Sequence, residues 1–269
     1  MNELFYDPVR VRELICSIAC VAVLISSLEW LAPPSKLRPE SLLAAEAFGS
    51  TRLERLWRPH GLRALFVLRA ACALTFLACV TLGHDNALAR ASVLGAGMLS
   101  LPIRWRPPVG ALAAVDGAEH MLTAVLLAIG PTFLLPSPWV LQVALAFIAA
   151  QVSLEYLAAG WAKATRFGGW ARGPYLLQVF ANRNYGHPSA AALLRHHPAA
   201  AGLMSGAVIV LEIALPLALV LPTPFAEGLL LAGLAFHAGT AVIMGLNTFV
   251  LAFSSTYPAI LYCRHLLLG

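Results

Sequence analysis

"PWVLQVALAFIAAQVSLEYLAAGWAK", residues 138–163, is a single apolar run that opens on proline and closes on lysine. A bilayer core is about 30 Å thick and a helix rises about 1.5 Å per residue, so about 20 such residues cross it. This run is long enough, yet it carries Glu155 inside it and Lys163 at its foot. The rest of the chain is of the same kind. Of its 269 residues, 59% are hydrophobic and 12% charged, and the mean hydropathy is +0.77. Soluble domains are nearer 45–50% apolar and about 25% charged. The sequence therefore predicts an all-α, polytopic integral membrane bundle whose first partner is the lipid bilayer, in the cell membrane.

Working outward, spans are expected near 14–32, 62–82, 88–103, 109–130, 138–163, 201–221 and 225–246. The apolar piece 249–267 is either an eighth span or a re-entrant segment. Breakers mark the ends: Pro33-Pro34, Gly83, Pro107-Pro108, Pro131 to Pro138 and Pro222 to Pro224. The connection 34–61 mixes Leu, Phe and Trp with Arg and Glu and reads as amphipathic helix on the membrane surface. The connection 164–200 holds "PYLLQVFANRN" and "PSAAALLRHHP". Proline suits a first helical position, so two short interfacial helices are expected there. Residues 1–269 read as one transmembrane domain, with the first run retained as a span.

The net charge of +5 does not indicate nucleic acid, because the basic residues flank apolar runs as membrane-bordering Lys and Arg do. Counting them places Lys163 toward the cytoplasm. The five cysteines, Cys16, Cys20, Cys72, Cys79 and Cys263, form no C-x-x-C pair and read as packing residues.

Charged residues at mid-membrane cost about 2.5–3.5 kcal/mol on insertion scales, so those inside the runs carry the information about function. Asp116, Glu119 and His120 stand at i, i+3 and i+4 and share one helix side. Tyr156, Ala159 and Lys163 share another, with Glu155 roughly 80° around from Lys163. Glu212 interrupts "VIVLEIALPL", and His237 interrupts "LAGLAFHAGTAVIMGL". An enclosed polar site would satisfy them together. Each residue also has a plainer role open to it. Lys163 can snorkel to the headgroups, His120 and His237 can tie helices together, Glu212 can bond a neighbouring helix, and Asp116 and Glu119 can cap a helix start. Aromatic neighbours Tyr156, Trp161, Phe167 and Trp170 favour an amine held out of water. Such a lysine gives up its proton more readily and can act as a general base near pH 7. No metal-ligand spacing, phosphate loop, dinucleotide fingerprint or nucleophile elbow is present.

The stretch "YLAAGWAKATRFGGWARGPYLLQVF" resembles the signature of the horizontally transferred transmembrane (HTTM) domain, a Tyr-x-x-Ala-Gly-x-x-Lys helix end followed by Trp-x-x-Gly. It is carried here by Tyr156, Ala159, Gly160, Lys163, Trp170 and Gly173. "FHAGTAVIMGLNTFVLAF" is similar to the family's late helix, with His237, Gly245 and Phe249 matching, and "EHMLTAVLLAIG" to the helix that opens on a functional histidine, His120 here. The superfamily includes the membrane part of vitamin K-dependent gamma-carboxylase. The resemblance implies Lys163 as the base that deprotonates a lipid hydroquinone, with His120 as its partner. His237, Glu155, Glu212, Tyr156, Trp161, Trp170, Glu119 and Asp116 would line the site. The carboxylase's exoplasmic substrate dock has no counterpart up to Gly269. The chain looks closer to a stand-alone branch that includes a component needed to make a sporulation-delaying peptide toxin. The expected function is thus a membrane-embedded peptide-modifying or quinone-linked enzyme acting on a small secreted peptide. The alternatives are a non-catalytic maturation, export or immunity component for such a peptide, and a small-solute transporter.

Overall fold

The computed structural model describes residues 5–31, 59–84, 86–104, 112–165, 169–182 and 186–268. Among the described residues there are helices and no strand, so the chain is all-α. They fall into two compact units: Arg12–Ala144, and Met1–Val11 together with Leu145–Gly269. The amphipathic connection expected over 34–61 lies outside the described residues up to Pro59, where a helix begins.

The Arg12–Ala144 unit is built on α1 (Pro8–Leu31), α2 (Pro59–Thr81), α3 (Ala87–Arg104), α4 (Leu112–Ile129) and the short α5 (Pro131–Leu134). Local chemistry sets the boundaries. The Asp7 carboxylate accepts the Val9 amide at 2.9 Å and caps α1. Asn86 does the same for Ala89 at 3.0 Å, opening α3. Gly83, at φ +70, ends α2. There the His84 amide bonds the Cys79 carbonyl at 2.8 Å and the Gly83 amide bonds Val80 at 3.0 Å, which satisfies two terminal carbonyls. α2 packs on α3 and α3 on α4. Leu65, Phe66 and Ile103 form a small core under Trp30, whose ring stacks on Phe66 at 5.2 Å.

The second unit takes α6 (Pro138–Thr165) from Leu145 onward. It then adds α7 (Pro174–Phe180), α8 (Pro188–His196), α9 (Pro198–Ala214, continued as a 3-10 turn over Leu215–Leu219), α10 (Thr223–Met244), α11 (Asn247–Ser254) and α12 (Tyr257–Leu268). The two proline-started helices expected in the 164–200 connection are α7 and α8. Leu176, Phe180, Ala191, Leu194 and Ala201 bury their apolar faces in a common core beside α9. α9 tightens to 3-10 at Pro216 because proline has no N–H to return to the Glu212 carbonyl one turn back.

Among the described residues, six helical stretches are long and apolar enough to cross a membrane: Pro8–Leu31, Arg63–Thr81, Gly117–Leu134, Pro138–Thr165, Pro198–Leu219 and Thr223–Met244. Seven or eight spans are expected from the sequence, and two runs account for the difference. Ala87–Ile103 is apolar but shorter. The 249–267 run is broken at Ser255-Thr256 into α11 and α12, neither long enough alone. At that break the Ser255 hydroxyl donates to the Ala252 carbonyl at 2.7 Å and Thr256 to Phe253 at 2.6 Å. Both side chains are fully buried, and they supply the donors that carbonyls at a helix end need away from water.

Gly173 joins α7 to α9. Its φ is +94, and a Cβ there would lie 2.9 Å from the backbone and side chain of Ala201. Gly173→Ala therefore adds backbone strain of about 1–3 kcal/mol to a steric clash. Thermal unfolding of the full chain in detergent should register the loss. Gly206→Ala, at a helical site with nothing within 4 Å, should be neutral or slightly stabilising.

Candidate functional site

Within the second unit the structure assembles two adjoining polar clusters along α6. At its foot, the Lys163 amine donates to both carboxylate oxygens of Glu212 on α9, each at 2.7 Å. The Glu212 side chain is 6% exposed and that of Lys163 20%. The amine is thus paired with an acid rather than left to the headgroups. Trp170 lies beside it, its ring centroid 5.5 Å from Nζ, within cation–π reach. The Trp170 carbonyl accepts the Ser205 hydroxyl of α9, and its ring stacks on Tyr175 at 6.5 Å.

Gly160 lets this cluster form. A Cβ there would stand 2.8 Å from Ile213 Cγ1 and 3.0 Å from both Glu212 Cβ and the Ile213 amide nitrogen. α6 and α9 thus touch backbone to backbone, close enough for a lysine one turn below to reach the carboxylate.

Two turns up the same side of α6, the Tyr156 hydroxyl lies 2.5 Å from His237 Nε2 on α10 and 3.2 Å from the Tyr257 hydroxyl on α12. All three residues are buried. Gly233 leaves room for this contact, since a Cβ there would fall 2.5 Å from the Tyr257 oxygen. Phe253 stacks on the imidazole at 4.5 Å, and Phe236 and Phe249 flank it at 5.0 and 6.1 Å. Glu155 accepts a bond from Gln151 at 2.9 Å on its own helix. Trp161 is 61% exposed and sits away from the pair.

The other sequence candidates fall in the Arg12–Ala144 unit. His120 lies half-buried on α4, in a different unit from Lys163. The Lys163–His120 pairing expected from sequence joins residues of the two units; within the second unit Lys163 pairs with Glu212. Glu119 does not cap its helix. It stands well inside α4, 2% exposed, and the Arg69 guanidinium grips both its oxygens at 3.1 and 2.7 Å. The Ser26 hydroxyl of α1 donates to the same carboxylate. Asp116 is on α4, and its side chain lies outside what is described. Sequence reasoning passes over Arg69, although an arginine inside "ALFVLRAACALTF" is itself an intramembrane charge of opposite sign to Glu119. Among the described residues no group of three or more His, Cys, Asp or Glu could hold a metal ion.

Chemically, the Lys163–Glu212 pair is a proton-sharing couple. In the Lys163–Glu212 pair, at 2.7 Å, the shared proton can pass to the carboxylate without altering net charge, which leaves Nζ a neutral amine able to take a proton from an acid docked against it. Comparison of the chain with protein-family models, with characterised proteins and with solved structures finds no match.

Proposed function

We propose that the chain is a multi-pass protein of the cell membrane that performs base chemistry on a lipid-soluble acid. The acid would be a hydroquinone, and the chemistry would serve modification of a small secreted peptide. The observation that carries this reading is the bidentate Lys163–Glu212 couple, which is largely buried at the foot of an apolar helix and faces Trp170. The likeness of residues 156–173 to the HTTM signature supports it. In this reading Glu212, rather than His120, is the immediate partner of the base. With the pair's shared proton resting on Glu212, Nζ is a neutral amine; it takes the proton of a docked hydroquinone O–H, leaving the hydroquinone anion beside an ammonium that stays hydrogen-bonded to Glu212. Trp170 and the apolar walls of α6 and α9 keep water from competing.

A second reading has its own observation. The two charges saturate each other, as they would in a purely structural tie between α6 and α9. A non-catalytic maturation, export or immunity component would need no more than that.

Lys163→Arg separates the two. Arginine keeps the charge and the ion pair but stays protonated and cannot act as a neutral base. With the full chain in lipid nanodiscs and a reduced prenylated naphthoquinone supplied, the expected outcome is normal accumulation and a loss of oxygen uptake of about 10²–10⁴-fold, the usual worth of a general base. Wild-type rates in both Lys163→Arg and Lys163→Ala would sink the catalytic reading.

A further inference from the structure

His237 contains a polar atom that the fold does not use. Its side chain is 4% exposed, and Nε2 is engaged by Tyr156. Nδ1 is buried and has no hydrogen-bond partner among the described residues. Leaving such a group unpaired is costly, whereas an apolar ring of similar shape would carry no such penalty. The surroundings are otherwise arranged in detail to hold this imidazole. Phe253 covers one face at 4.5 Å. Tyr156 is fixed by Tyr257 at 3.2 Å, and Gly233 is small where Tyr257 needs space.

The geometry points to His237 Nδ1 as a ligand-binding atom that hydrogen-bonds an uncharged oxygen, hydroxyl or carbonyl, of a membrane-soluble molecule, with Tyr156 and Tyr257 as positioning residues that set the ring's tautomer. The ligand is uncharged because the walls of the site are phenyl rings, whose faces repel anions. The neighbouring cation, Lys163, is already committed to Glu212. Two proton arrangements are open to the chain of groups. If Tyr156 donates to Nε2, Nδ1 carries a proton and seeks a carbonyl. If Nε2 donates to Tyr156, that hydroxyl turns to Tyr257 and Nδ1 seeks a hydroxyl. The site therefore accepts either half of a carbonyl–alcohol pair, according to which tautomer the ring holds. This deepens the proposed function and rests on it for the ligand's lipid solubility, but it concerns binding and not turnover.

The test is nitrogen NMR on the full chain, histidine-labelled with 15N, in phosphatidylcholine nanodiscs. The His237 signals are assigned by their loss in His237→Phe, which keeps the stack. The probes are an oxidised prenylated naphthoquinone, monooleoylglycerol and oleate. A quinone and a glyceride are the two sources of an uncharged oxygen, and the probe that acts tells them apart. The expected result is an Nδ1 shift with at least one uncharged probe and none with oleate, a loss of affinity of about tenfold or more in His237→Phe, and a smaller loss in Tyr156→Phe. An Nδ1 signal unmoved by both uncharged probes would overturn the proposal. So would His237→Phe binding them as tightly as wild type, or a water cross-peak at Nδ1 that persists when they are added. Lys163→Arg separates failure here from failure of the base reading, since it should leave the Nδ1 shift intact while abolishing oxygen uptake.

Discussion

Arg69→Met should destabilise the Arg12–Ala144 unit by about 3–5 kcal/mol, the range for breaking a buried ion pair by removing one partner. Arg69 is fully buried and Glu119 nearly so. The guanidinium supplies two of the bonds to the carboxylate and Ser26 a third. Without Arg69 the anion loses both guanidinium bonds while it stays buried in an apolar helix layer. Glu119→Gln should be comparably damaging for the opposite reason, because it leaves a guanidinium without a counter-charge. The double variant Arg69→Met/Glu119→Gln should recover most of the loss. Its amide oxygen still accepts the Ser26 hydroxyl, and no charge remains to desolvate. Cys16 and Cys20 on α1 provide the measurement, since both are fully buried. The midpoint temperature for labelling by a thiol-reactive dye should fall sharply in each single variant and return toward wild type in the double. A loss in the double variant equal to the sum of the two single losses would mean that the pair is not coupled.

What could be read without coordinates follows from what local sequence encodes. Apolar runs of helical length, and the prolines that open α6, α7, α8 and α9, are local signals, and they placed those helices within a few residues. The break at Ser255-Thr256 is harder to see. Hydropathy does not register two small hydroxyl residues bonding back to their own helix's carbonyls, so the run could be read as an eighth span or as re-entrant. For the site, a charged residue inside an apolar run is visible as out of place, and Lys163, Glu212, Glu119 and His237 all stood out for that reason. Their partners did not. Lys163 and Glu212 are 49 residues apart, and Tyr156 and His237 are 81 apart. A single sequence has no term linking positions at such distances. Arg69 is passed over along with Arg63 of the same run because its partner, Glu119, lies 50 residues away. The fold separates the two. The Arg63 side chain is exposed, and Arg69 is turned inward onto Glu119.

Gly160→Val should abolish the Lys163–Glu212 couple without touching either charged residue. Gly160→Ala already forces a contact at 2.8 Å with Ile213 and 3.0 Å with its backbone nitrogen. The Ile213 side chain can swing, but the amide cannot, so α6 and α9 must separate. Overpacking of this kind costs about 1–3 kcal/mol, and a β-branched valine adds two methyls to the clash. The functional loss should exceed what stability alone predicts. A shift of about 1 Å at Gly160 opens the 2.7 Å bonds beyond hydrogen-bond length, and a misplacement of that size can cost about 10²-fold in rate. The order wild type, Gly160→Ala, Gly160→Val should therefore hold for oxygen uptake even when assays are normalised to folded protein. Gly228→Ala, on α10 with nothing within 4 Å, should leave uptake unchanged. A Gly160→Val protein that folds and turns over at the wild-type rate would mean that the close approach of the two helices serves packing alone. The couple it creates would then be a tie between helices, as the non-catalytic reading requires.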